Sequence, residues 1–284
     1  MEAWLRLRDL PLLIPLQFRP WLPCHGLFFW YNGTMPDEEN LPEYALLEGV
    51  ISISATLIGG RRKIQRLKIR EGKEDGQIRR LEQMARQAHI PCERVTAEAI
   101  DAMAGGRTHG GVLAQVGPYQ FAEIASLTAG KAAPFIAMID GVEDPFNFGA
   151  SVRALYAAGA DGLVLRPRNW LSAAGVVARA SAGATELIPT AIAETAADAA
   201  AFFRKQGLAV ACATDERGSQ SLYETDLTGA LFLLIGGEKR GITRSFLDQA
   251  DLKLRIPYGR AMPHSLGTAS ATAVIAFEIM RQRR

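Results

Sequence analysis

The chain from Pro134 onward alternates short apolar runs with helix-length amphipathic segments. Six runs are predicted strands, at 135–139, 162–165, 186–189, 208–211, 231–235 and 252–256. Helices are predicted at 147–158, 173–180, 195–206 and 266–282. Regular alternation of this kind places crossover helices on both faces of a sheet whose strands run mostly parallel. We therefore expect residues 134–284 to form an α/β domain.

Residues 44–118 have the pattern of a smaller α/β unit. Helices are predicted at 44–58, at 77–89 and from Thr96, and strands at 64–69, 92–95 and 112–116. Gly59 and Gly60 fit the C-terminal end of the first helix, because glycine readily takes the left-handed conformation found there. Residues 119–133 are predicted to be a linker between the two domains.

The first 34 residues differ in composition from the rest and hold three of the four tryptophans. Prolines at 11, 15, 20 and 23 interrupt this apolar stretch too often for a membrane-spanning helix. We interpret residues 1–43 as an extension and expect translation to start at Met35; a mobile hydrophobic extension is the alternative. Three scattered cysteines and no histidine at metal-ligand spacing predict a cytoplasmic protein with no metal and no membrane association.

Basic residues are concentrated around the second predicted strand of the smaller unit. A net charge of +2 does not by itself indicate a nucleic-acid partner, but a local cluster can. Alternate side chains of a strand share one face, where they can meet a phosphate backbone. The other interpretation is a solvated edge strand protected from pairing by its charges. The candidate RNA-binding residues are Arg61, Arg62, Lys63, Arg66 and Lys68.

Three loops that follow predicted strands carry the candidate site. The first is Asp140–Arg153, which contains Asp144-Pro145 and then Asn147, a fit for a helix N-cap. The second, 236–241, reads Gly-Gly-Glu-Lys-Arg-Gly, and the third runs from Ile256 to Gly267. Loops at the carboxyl ends of parallel strands build the ligand sites of α/β proteins. These segments are therefore the candidate site.

Together the three segments resemble the signature motifs of the SpoU (TrmH) family of RNA 2′-O-ribose methyltransferases. Residues 46–118, with the run Ala104-Gly-Gly-Arg-Thr-His-Gly-Gly-Val112, resemble that family's L30e-like substrate-binding domain. His109 in this run is interpreted as structural, with RNA contact as the alternative. The resemblance implies a C-terminal SPOUT domain with a deep trefoil knot and a homodimer. It also implies S-adenosylmethionine as cofactor and structured RNA as substrate, rRNA before tRNA.

The resemblance also implies roles for individual residues. The implied catalytic set is Arg153, Asn147, Glu238 and Ser265, and the implied cofactor-binding set is Gly236, Gly237, Ile256 and Leu266. The family view makes the arginine a general base. Because a guanidinium stays protonated in proteins, electrostatic stabilisation of the developing alkoxide is the physical alternative.

The sequence departs from the family pattern at Gly267, where the motif Ser-Leu-Asn ends in glycine. The substitution removes an amide that helps to hold the active-site loop, and His264, Thr268 and Ser270 are candidates to compensate. The departure leaves a second hypothesis open: a non-catalytic RNA-binding factor, for example in ribosome assembly, on the same scaffold.

Overall fold

The structure, a computed structural model, describes residues 44–104, 108–167, 173–237 and 241–284, which form two sheets. The predicted extension, residues 1–43, lies outside these ranges. Within them no helix is long and apolar enough to cross a membrane.

The smaller sheet has four strands in the order β1-β4-β2-β3. Its elements are β1 (Ala45–Glu48), α1 (Val50–Gly59), β2 (Ile64–Arg70), α2 (Gly76–Gln87), β3 (Cys92–Val95), α3 (Ala97–Met103) and β4 (Val112–Val116). The side chains of Asp75 and Thr96 accept hydrogen bonds from the first backbone N–H groups of α2 and α3, which fixes where those helices begin.

The prediction of one helix over 44–58 is wrong in its first turn. Gly49 has φ +82°, a conformation that interrupts a helix, and separates β1 from α1. β1 instead pairs antiparallel with β4, with Leu47 opposite Ala114. The apolar run of β1 fits either structure locally, and pairing with a distant strand decides between them.

The larger sheet has seven strands in the order β7-β6-β5-β10-β8-β11-β9, and every neighbouring pair is parallel. Its strands are β5 (Phe135–Asp140), β6 (Gly162–Leu165), β7 (Thr190–Ile192), β8 (Ala209–Ala213), β9 (Gln220–Ser221), β10 (Leu231–Gly236) and β11 (Leu252–Arg255). Its helices are α4 (Pro145–Ala157), α5 (Ala174–Ala180), α6 (Ala184–Leu187), α7 (Ala196–Lys205), α8 (Arg244–Gln249) and α9 (Thr268–Gln282). The predicted α/β fold with a mostly parallel sheet is confirmed.

Two parts of this domain differ from the sequence prediction. The predicted strand at 186–189 is wrong: Glu186 lies in the short helix α6, and β7 begins only at Thr190. Sequence analysis also missed β9 and α8, which are too short to show a periodicity of their own.

Candidate active site

The three motif loops lie at one edge of the large sheet. They follow β5, β10 and β11, and these strands, with β8, lie side by side in the order β5-β10-β8-β11. Because all four run parallel, their carboxyl ends share an edge, so the loops after them all lie at that edge. The arrangement expected from sequence is therefore present.

The first two loops touch backbone to backbone. The amide of Gly237 donates a hydrogen bond to the carbonyl of Asp140, with N and O 2.7 Å apart. A Cβ atom on Gly237 would lie 1.9 Å from the carbonyl oxygen of Gly141, so only glycine fits there. A Cβ on Gly236 would lie 2.8 Å from the backbone carbon of Gly241. Both glycines keep the loops at this close approach.

The first loop leads directly into α4, the helix that carries two of the predicted catalytic residues. The prediction that Asn147 caps this helix is wrong: Asp144 does so, its Oδ1 accepting from the Phe146 amide at 2.8 Å, and Pro145 occupies the first turn. Asn147 lies half-buried inside the first turn, and its carbonyl accepts from the Ser151 hydroxyl at 2.8 Å. Arg153 is exposed on the next turns, available to an anion in solution.

The third loop connects β11 to α9 and is bridged by a hydrogen bond between its two ends. The Tyr258 hydroxyl accepts from the Leu266 amide at 2.9 Å. Ile256 is partly buried and packs on the core of the large domain, and Leu266 is half-buried. Ser265 and His264 are exposed on this loop. The helix that follows, α9, packs on α4, so the third motif adjoins the helix of the first.

Gly267 occupies the N-cap position of α9 and provides no side-chain cap. Its φ of −57° and ψ of 148° suit any residue, so the backbone here does not require glycine. Glu238, the remaining predicted catalytic residue, lies outside the described residues.

Sequence analysis assigned no role to the loop after β8, which lies at the same edge between the second and third motifs. Its Thr214 amide donates to the Leu254 carbonyl at 2.9 Å, and the Thr214 hydroxyl accepts from the Glu216 amide at 3.3 Å. Glu216 in turn pairs with Arg244 at 3.1 Å. The predicted strand end near residue 211 was the signal that could have located this loop.

The structure separates the five candidate RNA-binding residues into different environments. Arg62 is 3% exposed and pairs with Glu186, so the prediction that it binds RNA is wrong. Lys63 is exposed, Arg66 is exposed and pairs with Glu93 at 2.8 Å, and Lys68 is half-buried with its amine 3.2 Å from the Met103 sulfur.

Arg61, the fifth candidate, is half-buried, and its Nε has no hydrogen-bond partner. For Arg61, Lys63, Arg66 and Lys68, RNA binding stays a prediction.

His109 is buried, as a structural role requires. Its Nδ1 accepts from the Gly111 amide at 3.0 Å, and its Nε2 lies 2.9 Å from Asp101. These contacts use both ring nitrogens and leave neither for RNA.

The loop edge combines features that suit S-adenosylmethionine. Close-packed glycine backbone at Gly236 and Gly237 can approach a ligand without side-chain interference. Partly buried Ile256 and Leu266 offer apolar surface beside it. No cluster of metal-ligating side chains is found within the described ranges.

Two family models cover most of the chain. The SpoU rRNA Methylase family matches residues 134–277, and the RNA 2′-O ribose methyltransferase substrate binding family matches residues 46–122. The 23S rRNA (guanosine-2′-O-)-methyltransferase RlmB of Pseudomonas putida is 30% identical over 242 residues, 83% of this chain and 96% of the relative. RlmB of Xanthomonas axonopodis pv. citri is 30% identical over 241 residues, 83% of this chain and 95% of the relative.

Solved structures share the fold. The SpoU methyltransferase AviRb from Streptomyces viridochromogenes, in complex with AdoMet, superposes with a TM-score of 0.71 at 22% identity, covering 85% of this chain and 91% of that one. An AdoMet-bound rRNA methyltransferase from Sinorhizobium meliloti gives 0.68 at 23% identity, covering 84% and 87%. With family models on both domains and relatives aligned along nearly their whole length, this chain belongs to the SpoU rRNA methylase family.

Proposed function

We propose that this protein transfers the methyl group of S-adenosylmethionine to the 2′-hydroxyl of a ribose in structured RNA, most favourably rRNA and secondarily tRNA. The observation that carries the proposal is the presence of three motif loops at one sheet edge, next to the helix bearing exposed Arg153. Family membership and the rRNA specificity in the names of the relatives support the same activity.

The reaction sets three requirements for the site. The ribose hydroxyl, whose pKa lies far above neutral, must lose its proton, the ribose must be held still, and the methyl donor must lie in line. Holding two reactants in the right geometry contributes several kcal/mol to lowering the barrier. When bound, S-adenosylmethionine supplies a methyl group on a positively charged sulfur, a ready electrophile.

Arg153 suits the electrostatic part of this task. Its guanidinium is permanently charged and exposed, and α4 is fixed to the first motif loop by the Asp144 cap and by Pro145. From there Arg153 binds a phosphate next to the target ribose and stabilises negative charge developing on the 2′-oxygen. Asn147 and Ser265 lie on the helix and loop that flank this position, and we assign them to holding the ribose.

Cofactor binding is assigned to the two loops that follow β10 and β11. Gly236 and Gly237 provide backbone contacts, and Ile256 and Leu266 provide the apolar walls. The hydrogen bond from the Leu266 amide to Tyr258 holds the third loop in a closed form, so the walls are formed before the cofactor binds.

The proposed working unit is a homodimer with a trefoil knot in the large domain, in the cytoplasm. Supporting the dimer, α4 and α9 pack together and leave large aromatic side chains in solvent, with Phe146 62%, Tyr156 42% and Phe277 43% exposed. Exposed apolar side chains on adjacent helices are typical of a protein–protein contact. Sedimentation of the purified chain measures the mass of the assembly directly.

The test is transfer of labelled methyl from S-adenosylmethionine to total RNA from a strain lacking this gene. We expect the native protein to label one RNA species and Arg153→Ala to lose about 10²–10³-fold in rate. Lys205→Ala is the matched control, because this exposed cation ends α7 just before β8 and so lies at the opposite edge of the sheet.

Each result of the test has a clear meaning. Labelling that survives Arg153→Ala undiminished contradicts the assigned role. No labelling by a folded protein that still binds RNA and S-adenosylmethionine favours the non-catalytic RNA-binding factor instead.

A further inference from the structure

The two domains share a continuous buried interface built on α5. Ala174 and Ala178, one turn apart on this helix, belong to the hydrophobic core of the small domain together with Leu47. Val177, between them, belongs to the core of the large domain together with Phe148. One short helix is thus part of both cores.

A buried ion pair crosses the same interface. Arg62, in the turn before β2, and Glu186, in α6, lie 3.1 Å apart, with side chains 0% and 2% exposed. The Arg62 guanidinium also lies 5.1 Å from the centre of the Tyr119 ring. The Tyr119 hydroxyl donates towards the Thr185 and Ile188 carbonyls at 3.4 and 3.3 Å. A buried charge with a directional partner penalises any other orientation of the two domains, since it would leave that charge unpaired.

Glycines let the two backbones interlock. A Cβ on Gly59, at the end of α1, would lie 1.9 Å from the Glu186 carbonyl oxygen. A Cβ on Gly175, in α5, would lie 2.9 Å from the Leu46 carbonyl oxygen. Backbone contacts this close leave little room for sliding, because packed interfaces are stiff.

The interface continues to the helix of the first motif. A Cβ on Gly149 of α4 would lie 2.5 Å from the Ala180 Cβ and 3.0 Å from the Val177 carbonyl oxygen, both in α5. The helix that is packed into the small domain is therefore also pressed against the helix that carries Asn147 and Arg153. The position of the small domain is thereby linked mechanically to the candidate active site.

We propose that the interdomain interface, with its buried ion pair and its interlocking glycines, holds the small domain in one orientation, so that the enzyme selects its target ribose by that ribose's distance from the RNA segment bound to the basic strand β2. The proposal rests on the proposed function for its substrate. The fixed orientation is a property of the chain and is measured without catalysis. Since a misplacement of about 1 Å costs about 10²-fold in rate, a rigid link has direct catalytic value.

Interdomain distance is measured first, between spin labels on exposed Gln83 of α2 and Gln206 after α7. The full chain is used with Cys24→Ser and Cys92→Ser, while Cys212 is buried and stays. The labelled chain is mixed with an excess of unlabelled chain, so that only distances within one protomer are measured. We expect a single narrow distance distribution in the native background and a broadened one in Gly59→Ala. A broad native distribution overturns the proposal.

Two variants are designed to push the domains apart: Gly59→Ala and, with a smaller clash, Gly175→Ala. We call them the separating variants. The matched controls are Gly76→Ala in the small domain and Gly229→Ala in the large one, where an added Cβ meets nothing within 4 Å. If both separating variants fold and keep the narrow distribution, these contacts do not fix the domains and the proposal is wrong.

The functional readout is the identity of the modified ribose together with kcat and KM. In Gly59→Ala we expect RNA and S-adenosylmethionine affinities within about threefold of native, a kcat lowered about tenfold or more, and methyl groups on neighbouring riboses. A role limited to stability would lower the melting temperature without moving the methylated position. Separated domains that still modify the same ribose at the native kcat refute positional selection.

If the native chain methylates no RNA, the proposed function fails and RNA footprinting replaces the methyl readout. The proposal then requires one compact footprint on rRNA that spreads in Gly59→Ala and stays compact in Gly76→Ala. A footprint unchanged by domain separation overturns it.

Discussion

The interdomain interface and the candidate active site are built on opposite principles. At the interface, charges are buried, paired and enclosed by interlocking backbone, as in Arg62 with Glu186. At the candidate site, the glycine backbone of the first two loops is closely packed, whereas the polar side chains of Arg153 and Ser265 are exposed. Close packing is thus found between the domains and in the loop backbone, while the candidate catalytic side chains are exposed.

Arg62→Ala breaks the interface side of this comparison and carries the largest expected effect. Removing one member of a buried pair leaves Glu186 unpaired, which costs about 3–5 kcal/mol in the free energy of unfolding. Arg66→Ala removes an exposed pair with Glu93 and costs at most about 1 kcal/mol. Urea unfolding of both variants measures the difference, and equal midpoints would contradict the distinction.

Gly237→Ala breaks the site side. The added methyl group would overlap the Gly141 carbonyl oxygen, so the two loops must move apart at a cost of about 1–3 kcal/mol. We expect weakened binding of S-adenosylmethionine by calorimetry, with the interdomain distance unchanged. Gly229→Ala is the control, and native affinity in Gly237→Ala would remove this glycine from the cofactor site.

The pH dependence of stability sharpens the comparison. Burial raises the pKa of Glu186 above its ordinary 4.5, and Arg62 only partly opposes this shift. Between the unfolded pKa of 4.5 and the raised folded pKa, the folded chain keeps a proton that the unfolded chain has released, so the contribution of Glu186 to stability falls as pH rises through that window and Glu186 ionises.

Melting temperatures of native protein and Glu186→Gln between pH 4.5 and 7.5 test this sign. As pH rises, the melting temperature of the native protein should fall relative to that of the variant. A difference that grows in favour of the native protein with rising pH would show that the ion pair, not burial, controls Glu186.

Gly267→Asn is expected to have the smallest effect on folding. Asparagine at an N-cap exceeds glycine by only a few tenths of a kcal/mol, and the backbone at Gly267 accepts it. We expect a slightly higher melting temperature and a modest change in methyl transfer. Activity that rises from near zero would instead identify the glycine as the cause of a catalytic loss.

Sequence analysis predicted correctly those features that depend on residues consecutive in the chain. The three motif loops and the strands before them were predicted because Gly and Pro punctuation follows apolar runs locally. It failed where the role of a residue depends on contacts with distant parts of the chain. Asp144, not Asn147, caps α4 although both residue types fit a cap, and Arg62 reads like its exposed neighbours until the fold places Glu186 beside it.

The interdomain contacts could not be predicted from the sequence, for a physical reason. Gly59 and Gly175 look like ordinary glycines in sequence, because what they exclude is the backbone of a segment more than a hundred residues away. The sequence also gives no sign that Glu186 is buried, since a charged residue beside an apolar run normally indicates a surface position.

Sharing α5 between two cores also has a consequence for the order of synthesis. The first domain emerges from the ribosome without Ala174 and Ala178, which complete its core. The apolar surface that these two alanines cover stays exposed to solvent until some fifty further residues have been made. A fragment ending near residue 122 should therefore be prone to aggregation. During synthesis, the small domain completes its core only when α5 of the large domain has been made.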